Sequence, residues 1–145
     1  MDKLMVIGAI GSGKTSLVMA IHGDSGSASK TQAINYNKFT IDTPGEYMEN
    51  PIMYSALMST ALEAKYIIFT QDSTSDRSIY PPGFAKAFNA MTVGVITKID
   101  HQDSNVEKSK EHLKNLGLKG PIFKVSSYSG EGIEKVKKFI GADVL

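Results

Sequence analysis

Gly8-Ala9-Ile10-Gly11-Ser12-Gly13-Lys14-Thr15-Ser16 lies between two apolar segments, Leu4 to Ile7 before it and Leu17 to Ile21 after it. The spacing is Gly-x-x-x-x-Gly-Lys-Thr, placed where a strand would give way to a helix. Each residue type has a physical reason to be there. Gly8, Gly11 and Gly13 let the backbone curl tightly and approach a ligand closely. The backbone N–H groups from about Gly11 through Ser12 to Ser16 then turn inward as an anion nest at a helix N-terminus. The ammonium of Lys14 reaches the terminal phosphates, and the Thr15 hydroxyl is a hard oxygen suited to Mg²⁺. The stretch reads as a phosphate-binding loop.

The rest of the chain alternates strand-length apolar runs with helical patterns. Strands are expected at Leu4 to Ala9, Ala33 to Tyr36, Lys38 to Asp42, Tyr66 to Thr70, Thr92 to Thr97 and Pro121 to Val125. Helices are expected at Lys14 to His22, Ile52 to Ala64, Phe84 to Met91, Asn105 to Leu116 and Gly132 to Ile140. Gly23 to Lys30 reads as a polar loop, and Asn37 as the turn of a tight hairpin. This order predicts an α/β fold: a mostly parallel sheet covered by helices on both faces, with one short antiparallel edge hairpin. No linker or repeat interrupts it, so one P-loop nucleotide-binding domain is expected over residues 1–145. Ligands of such folds sit outside the carboxyl ends of the strands, so the loops there should carry the chemistry.

Bulk properties remove several function classes. The 145 residues carry a formal net charge of +1, which gives no electrostatic case for nucleic acid or an anionic membrane. There is no cysteine, hence no disulfide, thiolate metal site or thiol nucleophile. No apolar run approaches the ~20 residues of a membrane span. The start, Met1-Asp2-Lys3, does not read as a signal peptide. His22, His101 and His112 are scattered without carboxylates at metal spacing, and read as surface or helix-end residues. The lysines from Lys108 to Lys138 interleave with glutamates and read as a solvated helical face.

Three further loops follow strands. Asp42-Thr43-Pro44-Gly45 offers a carboxylate that could hold Mg²⁺ through water and a Gly45 N–H that could meet a γ-phosphate. Thr97-Lys98-Ile99-Asp100 resembles the Asn/Thr-Lys-x-Asp signature of GTP-binding proteins. A carboxylate only accepts hydrogen bonds, and guanine offers N1–H and an amine together where adenine offers neither. Asp100 would therefore select guanine, with Lys98 packed along the base. Ser126-Ser127-Tyr128 resembles the loop whose N–H groups meet the guanine carbonyl, with Tyr128 in place of a small residue. Right order and placement after strands make the set GTPase-like, with GTP preferred and ATP left open. Thr31, between the phosphate loop and Asp42, is the candidate γ-phosphate and Mg²⁺ sensor.

Lys30-Thr31-Gln32-Ala33, the short step to Asp42-Thr43-Pro44-Gly45-Glu46-Tyr47, and Tyr80-Pro81-Pro82-Gly83-Phe84 resemble the EutP/PduV family. That resemblance implies a bacterial cytoplasmic protein of ethanolamine or propanediol utilisation, attached to or inside a protein-shelled microcompartment. A switch would need a shell or enzyme partner, and the Met48, Met53 and Met58 region could supply the surface, although such methionines are more often helix core. Glu46 stands where many GTPases have glutamine, and a carboxylate beside a γ-phosphate adds repulsion, so slow hydrolysis is expected. A cis arginine finger would have to be Arg77, the one arginine, in the loop Gln71 to Tyr80, which cannot be placed near the phosphates from sequence. Three functions stay open. One is a nucleotide switch or assembly factor. Another is a small phosphotransferase interconverting acetate and acetyl phosphate, with acetate as second substrate. The third is a structural nucleotide-binding module. Lys14, Thr31, Gly45 and Glu46 are the candidate catalytic residues, and Thr15, Thr31 and Asp42 the candidate metal ligands.

Overall fold

The computed structural model describes residues 3–22, 35–36 and 40–141. Thr31, the Gly23 to Lys30 loop and the Asn37 turn lie outside the described residues. Six strands form one sheet: β1 (Lys3–Ile7), β2 (Asn35–Tyr36), β3 (Thr40–Asp42), β4 (Ala64–Asp72), β5 (Met91–Thr97) and β6 (Ile122–Lys124). Their spatial order is β2-β3-β1-β4-β5-β6. The strands from β3 to β6 are all parallel, and β2 pairs antiparallel with β3 at the edge. This is the P-loop architecture that the order of apolar runs predicts.

Both faces of the sheet are buried. Along β1, Leu4 and Val6 enter one core with Leu17 and Ile21 of helix α1 (Lys14–His22) and Val136 and Ile140 of helix α5 (Ile133–Ile140). Met5 and Ile7 enter the opposite core. There they meet Met48 of helix α2 (Gly45–Glu49), Leu57 of helix α3 (Tyr54–Ala61) and Leu113 of helix α4 (Val106–Lys114). Period-two alternation sends successive residues to opposite faces, so a strand apolar at every position belongs in the middle of the sheet. Because β3 lies on one side of β1 and β4 on the other, the winding reverses at β1. The crevice of a doubly wound sheet opens at such a point, at the carboxyl ends of the strands.

Three expected elements differ most, while the strand expected at Tyr66 to Thr70 extends to Ala64–Asp72 and other ends shift by one or two residues. The strand foreseen to Ala9 ends at Ile7. The helix foreseen at Ile52 to Ala64 is a 3₁₀ turn, Pro51–Met53, followed by α3; it closes with 3₁₀-type bonds from Leu62 N to Ser59 O and Glu63 N to Thr60 O. Ala64 instead pairs with Lys3 as the first residue of β4. The helix foreseen at Phe84 to Met91 is only a 3₁₀ turn, Phe84–Ala87. The Lys119 ammonium bonds the carbonyls of Phe88, Asn89 and Ala90 at 2.9, 2.9 and 3.1 Å, and Met91 already belongs to β5. Phe84 and Phe88 pack on Phe69 at ring separations of 6.2 and 5.8 Å, where an aromatic cluster replaces helix regularity as the organising force. Helix α2, directly after the Asp-Thr-Pro-Gly stretch, was not foreseen. It buries Met48 in the core, which removes that methionine from the candidate partner surface.

Candidate nucleotide site

The phosphate loop turns between β1 and α1 with Gly11 and Gly13 at φ 74° and 91°, values that favour glycine. Ser12 N donates to Ala9 O at 3.1 Å, so the turn itself takes that amide. The Ser12 hydroxyl is buried and lies 2.9 Å from the Thr70 hydroxyl, which in turn donates to Ile7 O at 3.2 Å. Ser12 therefore fastens the loop to the end of β4. Gly8 is required by space: a Cβ there would lie 1.8 Å from Thr70 Oγ1 and 2.7 Å from Ser12 Oγ. Tyr80, absent from the sequence-derived set, donates its hydroxyl to both Thr70 O and Ile7 O and ties the ends of β1 and β4 together from below. Burial raises its phenol above the ordinary tyrosine value.

Lys14 is buried at the start of α1. Burial lowers its ammonium below the ordinary lysine value, while the carboxylates of Asp42, Glu46 and Glu49 pull it back up. Thr15 Oγ1 donates to Asp42 Oδ2 at 3.0 Å, so the two candidate metal ligands on described residues meet. A hydroxyl and a carboxylate make a hard-oxygen pair that fits Mg²⁺, which keeps several waters and takes its other ligands from phosphates. Among the described residues no group of three or more His, Asp or Glu side chains could hold a metal. The Thr43 hydroxyl donates to Val6 O at 2.8 Å and fixes the segment that follows Asp42. Gly45 is buried hard against the phosphate loop, where a Cβ would lie 2.4 Å from Ile10 N.

The candidate base loop Thr97-Lys98-Ile99-Asp100 is bound to the phosphate loop. Thr97 Oγ1 donates to Ser12 O at 2.6 Å. Lys98 Nζ donates to Gly11 O at 2.7 Å and to Asp72 Oδ2 at 2.8 Å. Lys98 has φ 60°, the left-handed region, which is costly for a residue with a side chain. These two bonds hold it there. Burial alone would raise the Asp72 carboxyl, but bonds from Lys98 and Thr74 outweigh it and lower it. Asp72 was missed in the sequence, although its signal, a carboxylate ending a strand, is the one that singles out Asp42. Asp100 is exposed. Ile99 N donates to Val125 O at 3.3 Å, joining this loop to the Ser126-Ser127-Tyr128 turn. Ser126 N is engaged with Glu131 O at 2.9 Å and its hydroxyl accepts from Ser129 N at 3.0 Å, so Ser126 builds the turn. Tyr128 stands 95% exposed beside it.

Arg77 is placed by the fold where sequence could not place it. A cleft of about 110 Å³ is lined by Ala9, Ile10 and Ser12 of the phosphate loop, by Gln71 of β4, and by Glu49 and Arg77. The three histidines serve local structure: His22 bonds Thr40 Oγ1, His101 accepts from Asp103 N, and His112 bonds Asp76 O. No helix among the described residues is long and apolar enough to cross a membrane.

The same fold is found in a solved structure described as Methanosarcina barkeri Roco2 RocCORdC bound to GDP. The TM-score is 0.67 at 22% identity, covering 99% of this chain and 49% of that one, so it is the fold that is shared. The propanediol utilization protein PduV of Citrobacter freundii is 34% identical over 143 residues, 98% of this chain and 95% of that protein. The "probable acetate kinase EutP" of Salmonella typhimurium is 31% identical over 144 residues, 98% of this chain and 91% of that protein. The family described as "Ethanolamine utilisation - propanediol utilisation" matches residues 1–142, and the chain belongs to this PduV-EutP family.

Proposed function

We propose that this protein binds a Mg²⁺–purine nucleoside triphosphate, GTP in preference to ATP, and hydrolyses it slowly. Its role is that of a nucleotide-dependent switch or assembly factor in bacterial ethanolamine or propanediol utilisation, in the cytoplasm and in association with the microcompartment. The observation that carries the nucleotide reading is the bracing of the phosphate loop by both residues of Thr97-Lys98, at 2.6 and 2.7 Å. A loop pair with unrelated roles has no need of that coupling. A loop pair that grips two ends of one ligand does.

In this reading the loop amides and Lys14 hold the β- and γ-phosphates, and Thr15 and Asp42 hold Mg²⁺, which supplies charge neutralisation when bound. Thr31 completes the metal shell and reports the γ-phosphate. Asp100 accepts from the guanine edge. The Ser126 amide is already engaged, so the base carbonyl falls to Ser127 and Tyr128. Glu46 stands close enough to Lys14 to raise its basicity, and a carboxylate there opposes the charge that builds on the transferring group. Turnover by the purified protein is accordingly expected below about one per second.

Replacing Asp100 by alanine tests base selection. Losing even one net hydrogen bond to a charged group corresponds to about 1.5–3 kcal/mol, or roughly ten- to a hundredfold weaker GTP binding. ATP affinity should stay unchanged. Competition titration against a fluorescent GTP analogue measures both, and an equal loss for GTP and ATP would remove the guanine assignment.

A second reading is phosphoryl transfer to acetate. It is supported by the naming of a relative as a probable acetate kinase and by the cleft beside the phosphate loop, which offers room for a small acceptor. Turnover of GTP and of ATP, each with and without acetate, separates the readings. Acetate-dependent formation of an acyl phosphate selects the phosphotransferase. Slow, acetate-independent hydrolysis selects the switch. Binding without any turnover selects a structural nucleotide-binding module.

A further inference from the structure

The nucleotide reading leaves Arg77 without a task. It is the chain's single arginine, and it lines the same cleft as Ala9, Ile10 and Ser12 of the phosphate loop. Its backbone is anchored: the buried Gln71 donates from Nε2 to Arg77 O at 3.0 Å, and Arg77 N donates to Ser75 Oγ at 3.2 Å. Its side chain is not held in the same way. The Arg77 side chain is 76% exposed, and its guanidinium meets Glu49 Oε1 at 3.8 Å, too long for a hydrogen bond and weak as a surface ion pair. A fixed root with a loosely held, permanently charged fork is what a group that must swing requires.

Glu49 is the last residue of α2, and Gly45, packed against Ala9 and Ile10, is the first. One short helix therefore spans from the phosphate loop to the carboxylate that holds Arg77.

We propose that Arg77 leaves Glu49 and closes over the transferring γ-phosphoryl group, an arginine supplied in cis whose release Glu49 controls. The inference rests on the nucleotide-turnover reading above. In the step it assists, an oxygen of water forms a bond to the γ-phosphorus. The bond from that phosphorus to the β–γ bridging oxygen breaks, and the nucleoside diphosphate leaves with the electron pair. The water proton passes to the phosphate product. Arg77 neutralises charge on the γ-oxygens while bond order is lowest.

The test is single-turnover GTP hydrolysis with Mg²⁺, beside GTP affinity by fluorescence titration, for the wild type, Arg77→Ala, Arg77→Lys, Glu49→Gln and the Glu49→Gln/Arg77→Ala double variant. Arg77→Ala should slow hydrolysis by about tenfold to a thousandfold with affinity nearly unchanged. Arg77→Lys should not restore the rate, since lysine lacks the planar fork. Glu49→Gln should accelerate hydrolysis severalfold, and the double variant should fall to the Arg77→Ala rate. The wild type with GDP and aluminium fluoride should form a stable transition-state complex that Arg77→Ala does not form. A wild-type rate in Arg77→Ala, or a gain in Glu49→Gln that survives loss of Arg77, overturns the inference and leaves the nucleotide reading intact. A wild-type protein that binds no guanine nucleotide, or binds it without turnover, overturns both the inference and the hydrolytic reading it rests on.

Discussion

Replacing Lys14 by alanine should weaken binding of the Mg²⁺–nucleoside triphosphate by two to three orders of magnitude and leave the fold in place. Lys14 is 6% exposed, and its ammonium feels the carboxylates of Asp42, Glu46 and Glu49. Burial works against its charge and the three carboxylates offset that only in part, so a phosphate ligand would offset more of it. Removing one member of a buried charge pair with a ligand is worth about 2–5 kcal/mol. At about 1.4 kcal/mol per decade the middle of that range, about 2.8–4.2 kcal/mol, gives the expected loss. Three carboxylates would then face the phosphates with no ammonium between them. The two cores are built from other residues, so the melting transition should remain cooperative. Equilibrium titration with a fluorescent nucleotide, beside a thermal melt, checks both halves. Affinity within a fewfold of the wild type would remove Lys14 from the phosphate site.

Gly45→Ala should lower thermal stability and abolish discrimination between tri- and diphosphate. The new Cβ would lie 2.4 Å from Ile10 N, 2.6 Å from Ile10 Cα and 2.8 Å from Ala9 C. These are backbone atoms of the phosphate loop and cannot rotate away. Retreat on the other side is opposed by the Thr43 hydroxyl bond to Val6 O. Overpacking of this kind costs about 1–3 kcal/mol, which in a chain of this length lowers the melting temperature by about 2–4 °C for each kcal/mol. On the proposed function the Gly45 N–H also meets the γ-phosphate, so a forced shift should weaken GTP more than GDP. The GTP-to-GDP affinity ratio and the melting temperature are the measurements. If neither moves, Gly45 is not the contact between α2 and the phosphate loop.

These two residues differ in how far they could be read in advance. Lys14 announces itself because the phosphate loop is local: its glycines, lysine and threonine act through backbone geometry and short reach, so spacing along the chain is nearly spacing in space. Asp42, Thr97 and Lys98 were legible for a related reason, as polar residues ending apolar runs at the carboxyl edge of a parallel sheet. Helix boundaries were less legible. Phe84 to Met91 looks helical by period, but the ammonium of Lys119, nearly thirty residues on, takes the carbonyls of Phe88 to Ala90.

From residue order alone came the alternation of strand and helix, the edge hairpin, the phosphate loop and the loops that face it. All of these follow from periodicity and short-range backbone chemistry, which a linear string preserves. The contacts that join those loops come from folding: Thr97 on Ser12, Lys98 on Gly11 and Asp72, Tyr80 beneath β1 and β4, Gly45 against Ile10, and Arg77 in a cleft with the phosphate loop. Each links residues far apart in the chain, at distances set by strand order and register. A residue such as Arg77 carries no local mark of its position, because its neighbours are chosen by the sheet and not by the sequence around it.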